Sequence, residues 1–392
     1  MIYLDNAATS QFQKKDEIIV GSISNAMRTY WQNPSSLYAQ EVRDKIEECR
    51  QNVADFIGAE SDEIYFTSGS SESNNWAIRG WFDKNYIPYR KKPCVIISEV
   101  EHKSIMSIWE NQLMKQCMSH CKVDKYGLID LDYLKTQLTI LTKGKRQPIL
   151  MSVIYANNEV GSINNIKAIS ELVHKYGGVL HVDATQVFGH MPIDVEELGI
   201  DMLSASGHKI SPVLKGIGFL YKRNGVEINP LIYGAQESEL RGGTENVFGI
   251  IGLSKAIDCC DVSNGKIKEV TDKRNYFINL LQSRFGCKLN GHPTDRLPNN
   301  INVTFSQDIT GEAFLYTLDL SGIKISVGSA CNSKLIEPSH VLKAMGLSDE
   351  DAMKTVRFTL SDEITYHEID KVVEEIASTI KVIGTEWSDS IV

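Results

Sequence analysis

Lys209 closes the run S-A-S-G-H-K-I (204–210), in which a β-rich stretch ends in small polar residues and then a histidine–lysine pair. A lysine held in a partly closed cleft can condense with an aldehyde to a Schiff base. Taken alone it reads as one more surface lysine, so its company decides. Upstream, Asp183 ends the apolar part of L-H-V-D-A-T-Q (180–186), where a carboxylate can face a basic ring nitrogen. The stretch T-S-G-S-S-E-S (67–73) joins a β-rich run to a helical one through small residues that expose backbone N–H groups, a turn suited to phosphate. His102 follows the run 94–98, and Asn157, Asn158 and Glu159 follow the run 149–155. An imidazole in such a place can stack on a ring or move protons. Finally, Cys331 stands in G-S-A-C-N-S (328–333), where small polar neighbours suit a nucleophilic thiol.

A Schiff-base lysine, a carboxylate for a pyridinium and a phosphate-binding turn are together the requirements of pyridoxal phosphate (PLP), whose protonated ring serves as an electron sink. The residues therefore read as a PLP enzyme with a reactive cysteine.

These groups need a scaffold that brings them to one edge. Short β-rich runs at 64–67, 94–98, 149–155, 179–183, 201–204 and 217–221 alternate with helical or loop stretches, predicting an α/β fold with a mainly parallel sheet. Strands of that kind are buried on both faces, and ligands gather beyond their carboxyl ends, where the polar residues above lie. Val42, Ile46, Cys49, Val53, Phe56 and Ile57 recur at helical spacing, with Gly58 as a C-terminal cap. The polar stretch 261–268 leads into a smaller α+β unit with strands at 301–305, 323–327 and 355–360. Its last helix opens on a Thr365-x-x-Glu368 capping box and is expected to stop at Gly384.

Composition narrows the partners. The 392 residues hold 41 Lys+Arg against 50 Asp+Glu, a formal charge of −9, with 42% apolar residues. No basic block marks a nucleic acid or anionic membrane as partner, and no uncharged apolar run reaches the length of a spanning helix. A small-molecule substrate and a cytoplasmic location are expected. Eight scattered cysteines suit reduced, buried thiols; Cys117 and Cys121 lack the second pair that a zinc site needs, so no metal is expected.

The chain resembles the cysteine desulfurases (NifS/IscS-like) within the class V aminotransferase group of fold-type I PLP enzymes. The motifs that carry the likeness are Y-L-D-N-A-A-T (3–9), N-P-S-S (33–36), S-E-V-E-H (98–102), N-N-E-V-G (157–161), H-V-D-A-T-Q (181–186), S-G-H-K (206–209), R-G-G-T-E-N (241–246), L-P-N-N (297–300), G-S-A-C (328–331) and V-R-F (356–358). The resemblance implies a large domain (13–262) with a mainly parallel seven-stranded sheet, and a small domain (1–12 and 263–392) carrying the cysteine. It implies that Lys209 holds PLP, Asp183 pairs with the pyridinium, Gln186 reaches the phenolic oxygen and His102 stacks on the ring. Ser70, Ser71, Ser206 and His208 would hold the phosphate, with Thr244 from the partner subunit of a homodimer. Asn158, itself beside the cofactor, and Arg357 would bind the substrate carboxylate.

L-Cysteine would lose its α-proton to the freed lysine, Cys331 would take the sulfur as a persulfide, and L-alanine would leave. A sulfur-acceptor protein, an iron–sulfur scaffold or thiolation enzyme, would collect the sulfur. Selenocysteine lysis, another class V reaction and a non-catalytic sulfur-transfer scaffold are the alternatives. The chain departs from the family pattern at Tyr38, at 211–215, at 233–235 and at Ser361-Asp362.

Overall fold

The computed structural model describes residues 1–87, 92–110, 112–143, 147–327 and 337–389. In chain order the strands are β1 (Ile2–Tyr3), β2 (Ile64–Thr67), β3 (Cys94–Ser98), β4 (Met118–Cys121), β5 (Ile149–Ile154), β6 (Val179–Asp183), β7 (Met202–Ser206), β8 (Gly218–Lys222), β9 (Lys288–Leu289), β10 (Asn300–Thr304), β11 (Ile323–Lys324) and β12 (Thr355–Thr359).

Seven of them form one sheet in the order β2-β8-β7-β6-β5-β3-β4. The pairings from β4 through β3, β5 and β6 to β7 are parallel, and β8 runs antiparallel to β7 and β2. The sequences explain the position of the central strands: C-V-I-I-S and I-L-M-S-V-I are buried along their whole length, as strands covered on both faces must be. One apolar cluster packs the helix Gln40–Ile57 and the helix Val247–Asp258 on one face, and a second gathers Trp76, Trp81, Phe82 and Ile105 on the other. The helix Gln40–Ile57 ends at Gly58 in the left-handed conformation (φ 69°), as its pattern predicts.

A third cluster belongs to the C-terminal unit, built on the sheet β12-β10-β9 and the helices Asn264–Phe285 and Tyr366–Asp389. Ile2 and Leu4 join it, and β1 pairs with β11 in parallel, so the first residues of the chain pack with the last hundred. Three details differ from expectation. The run 323–327 yields only the two-residue β11, because it pairs with the short β1 in a sheet of its own and does not join β12-β10-β9. The last helix has its Thr365–Glu368 capping box but runs through Gly384 to Asp389, because a single glycine lowers helix propensity without removing a hydrogen bond. Edge strand β4, M-S-H-C, lacks the apolar run that marks the others and escapes the pattern. Among the described residues no helix is long and apolar enough to cross a membrane.

Candidate active site

Beyond the carboxyl ends of β3, β5, β6 and β7 lies a cavity of about 270 Å³. Its lining brings together Ser70, Ser71, His102, Asn158, Asp183, Gln186, His208, Lys209 and Arg357, nine positions singled out in the sequence. Ser206 ends β7 just beneath it, while Thr244 lies apart, in a groove with Ser68 and Gly216. Cys331 lies outside the described residues.

Asp183, buried at the last position of β6, is tightly held. Oδ2 accepts from Nδ2 of Asn74 at 2.7 Å, and Oδ1 accepts from the backbone N–H of Thr185 at 3.0 Å and from its hydroxyl. Two residues back on the same face, His181 bridges the hydroxyls of Ser152 and Ser204 at 2.8 and 2.9 Å, and burial pushes its pKa down to about 4. A neutral imidazole therefore backs the carboxylate.

Lys209 Nζ donates to the carbonyls of Ala7 and Ala8 at 2.7 and 2.8 Å, and Gln186 Nε2 donates to Ala7 O at 3.0 Å. The N-terminal segment thus forms one wall. His102 caps the helix Lys103–Met106: its Nδ1 accepts from the Ser104 N–H at 3.1 Å, which leaves the ring proton of the neutral form on Nε2. Burial lowers its pKa against the opposing pull of Asp183. His208 is driven down to about 4, by burial first and then by Lys209 and Lys215.

A phosphate-sized niche sits at the turn before the helix Ser70–Asn75. Gly69 has φ 147°, open only to glycine, and a side chain there would press on the Ser206 hydroxyl at 3.3 Å. Gly218 lets the same turn close on the sheet, since a Cβ there would lie 2.6 Å from Gly69 Cα. Ser70 and Ser71, at the start of the helix that follows this turn, line the cavity. With a buried carboxylate and a lysine on either side, this donor set fits PLP.

The other wall is the loop 157–161, whose successive carbonyls are read by the C-terminal unit. Arg357 Nη1 donates to Asn158 O at 3.0 Å, Asn302 Nδ2 to Glu159 O at 3.1 Å and Arg296 Nη2 to Val160 O at 3.1 Å. The Leu297 N–H donates to Gly161 O at 2.9 Å. Gly161 (φ 78°) is needed because a Cβ would meet Asn300 Oδ1 at 2.6 Å. Arg357 also pairs with Asp5.

Sequence reading missed Asn74, Thr185, Asp5, Glu101 and His340. Glu101 is fully buried in the lining: Oε1 accepts from the Ser98 hydroxyl and from the Ile154 N–H at 2.9 Å, Oε2 has no partner among the described residues, and burial raises its pKa to about 8. His340 Nε2 donates to the Glu101 carbonyl at 3.0 Å. The adjacent Ser339 hydroxyl donates to the Glu159 carboxylate. Thr185 lies inside the motif H-V-D-A-T-Q and Asn74 directly follows T-S-G-S-S-E-S, which was the available signal.

The departures from the family pattern are absorbed locally. The Ser211 hydroxyl donates to buried Asp16, Asp362 pairs with Lys15 at 3.4 Å, and Tyr38 is exposed.

Residues 2–372 match the class-V aminotransferase family. A cysteine desulfurase, IscS, of Dictyoglomus turgidum is 40% identical over 398 residues, covering 98% of each chain. Among solved structures, a NifS-like protein superposes with TM-score 0.87 at 29% identity, over 97% of this chain and 99% of that one. A structure described as SspA in complex with cysteine gives TM-score 0.77 at 32% identity, over 92% and 99%.

Proposed function

This chain belongs to the class-V aminotransferase family, among its PLP-dependent cysteine desulfurases, and we propose a division of labour by which its cavity takes sulfur from L-cysteine. The observation that carries the proposal is the placing of Lys209 and the buried, firmly oriented Asp183 carboxylate in one cavity, with the glycine-bearing turn before Ser70 beside them.

Lys209 is the covalent anchor for the cofactor, and Asp183 pairs with its ring nitrogen. Ser70, Ser71, Ser206 and His208 hold the phosphate. His208, kept neutral, contributes a hydrogen bond without competing for the lysine's proton. Gln186 would hold the ring oxygen, and neutral His102 would support the ring. PLP, when bound, supplies a conjugated ring that accepts the electron pair left at the substrate's α-carbon.

The chain's own groups do the rest. Arg357, with Asn158 beside it, takes the α-carboxylate and so orients the α-hydrogen towards Lys209. Lys209, once the substrate amine has replaced it, removes that proton as general base. Nε2–H of His102 stands in the same cavity as a hydrogen-bond donor. The thiolate of Cys331 attacks the substrate sulfur and keeps it as a persulfide, the carbon skeleton leaves as L-alanine, and an acceptor protein collects the sulfur.

We place the boundary between the large domain and the cysteine-bearing small domain at 1–12 and 263–392 against 13–262, in agreement with the packing of Ile2 and Leu4. We further propose a cytoplasmic homodimer in which Thr244 completes the partner's phosphate site; in its own chain Thr244 lines a separate groove and not the cavity, which favours this reading. The test is direct: purified protein given L-cysteine forms L-alanine in step with protein-bound sulfur. Production of alanine from aspartate or pyruvate instead would assign a different class V reaction.

A further inference from the structure

Asp5 meets Arg357 from the other end of the chain. After β1 the backbone runs beside β12: the Thr359 N–H donates to Leu4 O at 2.7 Å and Asp5 bridges Thr359 in parallel register. This lays Oδ1 of Asp5 2.6 Å from Nη2 of Arg357. The contact uses one oxygen. Nη1 is engaged by Asn158 O at 3.0 Å, and Nε, buried, has no hydrogen-bond partner among the described residues. Of the roughly five N–H groups of a guanidinium, two are thereby fixed and the others remain for a ligand. Arg357 itself is almost wholly buried, and an arginine has enough rotamer freedom that an unheld guanidinium would have to be ordered on each binding event.

We infer that Asp5 is a positioning residue, holding the guanidinium of Arg357 so that its remaining N–H groups meet the α-carboxylate of the amino-acid substrate. The inference rests on the reading of Arg357 as the carboxylate clamp and names what aims it. Asp5 does not touch the substrate. It sets the plane of the fork, which is what bidentate recognition of a carboxylate depends on.

The test compares two amines that differ by the carboxylate. Holoenzyme is titrated with L-alanine and with ethylamine, and the cofactor's absorbance reports binding without turnover. Asp5→Ala weakens L-alanine by about tenfold or more and leaves ethylamine within about twofold. Asp5→Asn, which keeps an acceptor oxygen in place, stays within about threefold of wild type. Asp5→Glu, one methylene longer, moves the fork and reproduces the selective loss, and serves where the alanine variant fails to fold. Arg357→Ala loses L-alanine affinity at least as far, and adding Asp5→Ala to it costs nothing more. Equal weakening of both amines, an asparagine variant as poor as alanine, or additive losses would each overturn the role of Asp5. Arg357→Ala with unchanged L-alanine affinity would instead remove the clamp reading beneath it. Loss in Arg357→Ala without loss in Asp5→Ala would remove only the inference about Asp5.

Discussion

The amide of Asn74 donates to the carboxylate of Asp183 at 2.7 Å, tying the helix behind the phosphate niche to the end of the central strand β6. One hydrogen bond thus joins the turn proposed for the cofactor's phosphate to the carboxylate proposed for its ring nitrogen. With Asn74→Ala, Oδ2 of Asp183 loses its only fixed donor among the described residues, while Thr185 still holds Oδ1. A hydrogen bond to a buried charge is worth about 1.5–3 kcal/mol, so cofactor affinity should fall roughly ten- to hundredfold. The PLP dissociation constant measures it, and an unchanged constant would contradict the coupling.

Glu101 gives a pH signature. Its folded value of about 8 lies above the ordinary 4.5, so between those values the folded chain binds a proton that the unfolded chain has released. Its contribution therefore makes stability fall as pH rises from about 4.5 towards 8, and level off above. Glu101→Gln, the same shape without the titration, should gain on wild type across that window. Urea midpoints at pH 5, 6, 7 and 8 check it; a difference that does not change with pH would refute the assignment.

The segment carrying Thr244 is held under strain. Glu237, Ser238 and Glu239 all have left-handed φ (48°, 57° and 65°), and the buried pair of Glu237 with Arg50, at 2.7 Å, keeps them there. Breaking such a pair from one side costs about 3–5 kcal/mol. Glu237→Ala should lower the urea midpoint accordingly and, if Thr244 serves the partner's cofactor, weaken PLP binding as well. Light scattering with and without PLP should show the dimer stabilised by cofactor. A monomer that retains PLP would contradict the shared site.

How much of this was legible in the sequence follows from where each contact comes from. Lys209, Asp183, His102 and Asn158 were visible because each ends or follows an apolar strand with a chemically distinctive side chain. Ala7 and Ala8 were not, because they act through carbonyl oxygens, which leave no trace in residue type. Asp5 could be matched to a motif but not to Arg357, since only the parallel run of the first residues beside β12 brings them together. The end of the last helix was misread at Gly384 because a single glycine lowers helix propensity without removing a backbone hydrogen bond.

Single turnover of Cys331→Ser tests most directly whether Cys331 receives the sulfur after Lys209 has activated the substrate carbon. The variant should keep its cofactor and its spectral response to L-cysteine, because proton removal precedes sulfur transfer. It should release alanine far more slowly than wild type, since a hydroxyl is a much poorer nucleophile towards sulfur than a thiolate. Lys209→Ala, in the same assay, should show neither response. Alanine formed by Cys331→Ser at the wild-type rate would mean that another group takes the sulfur, and the division of labour between Lys209 and Cys331 would be wrong.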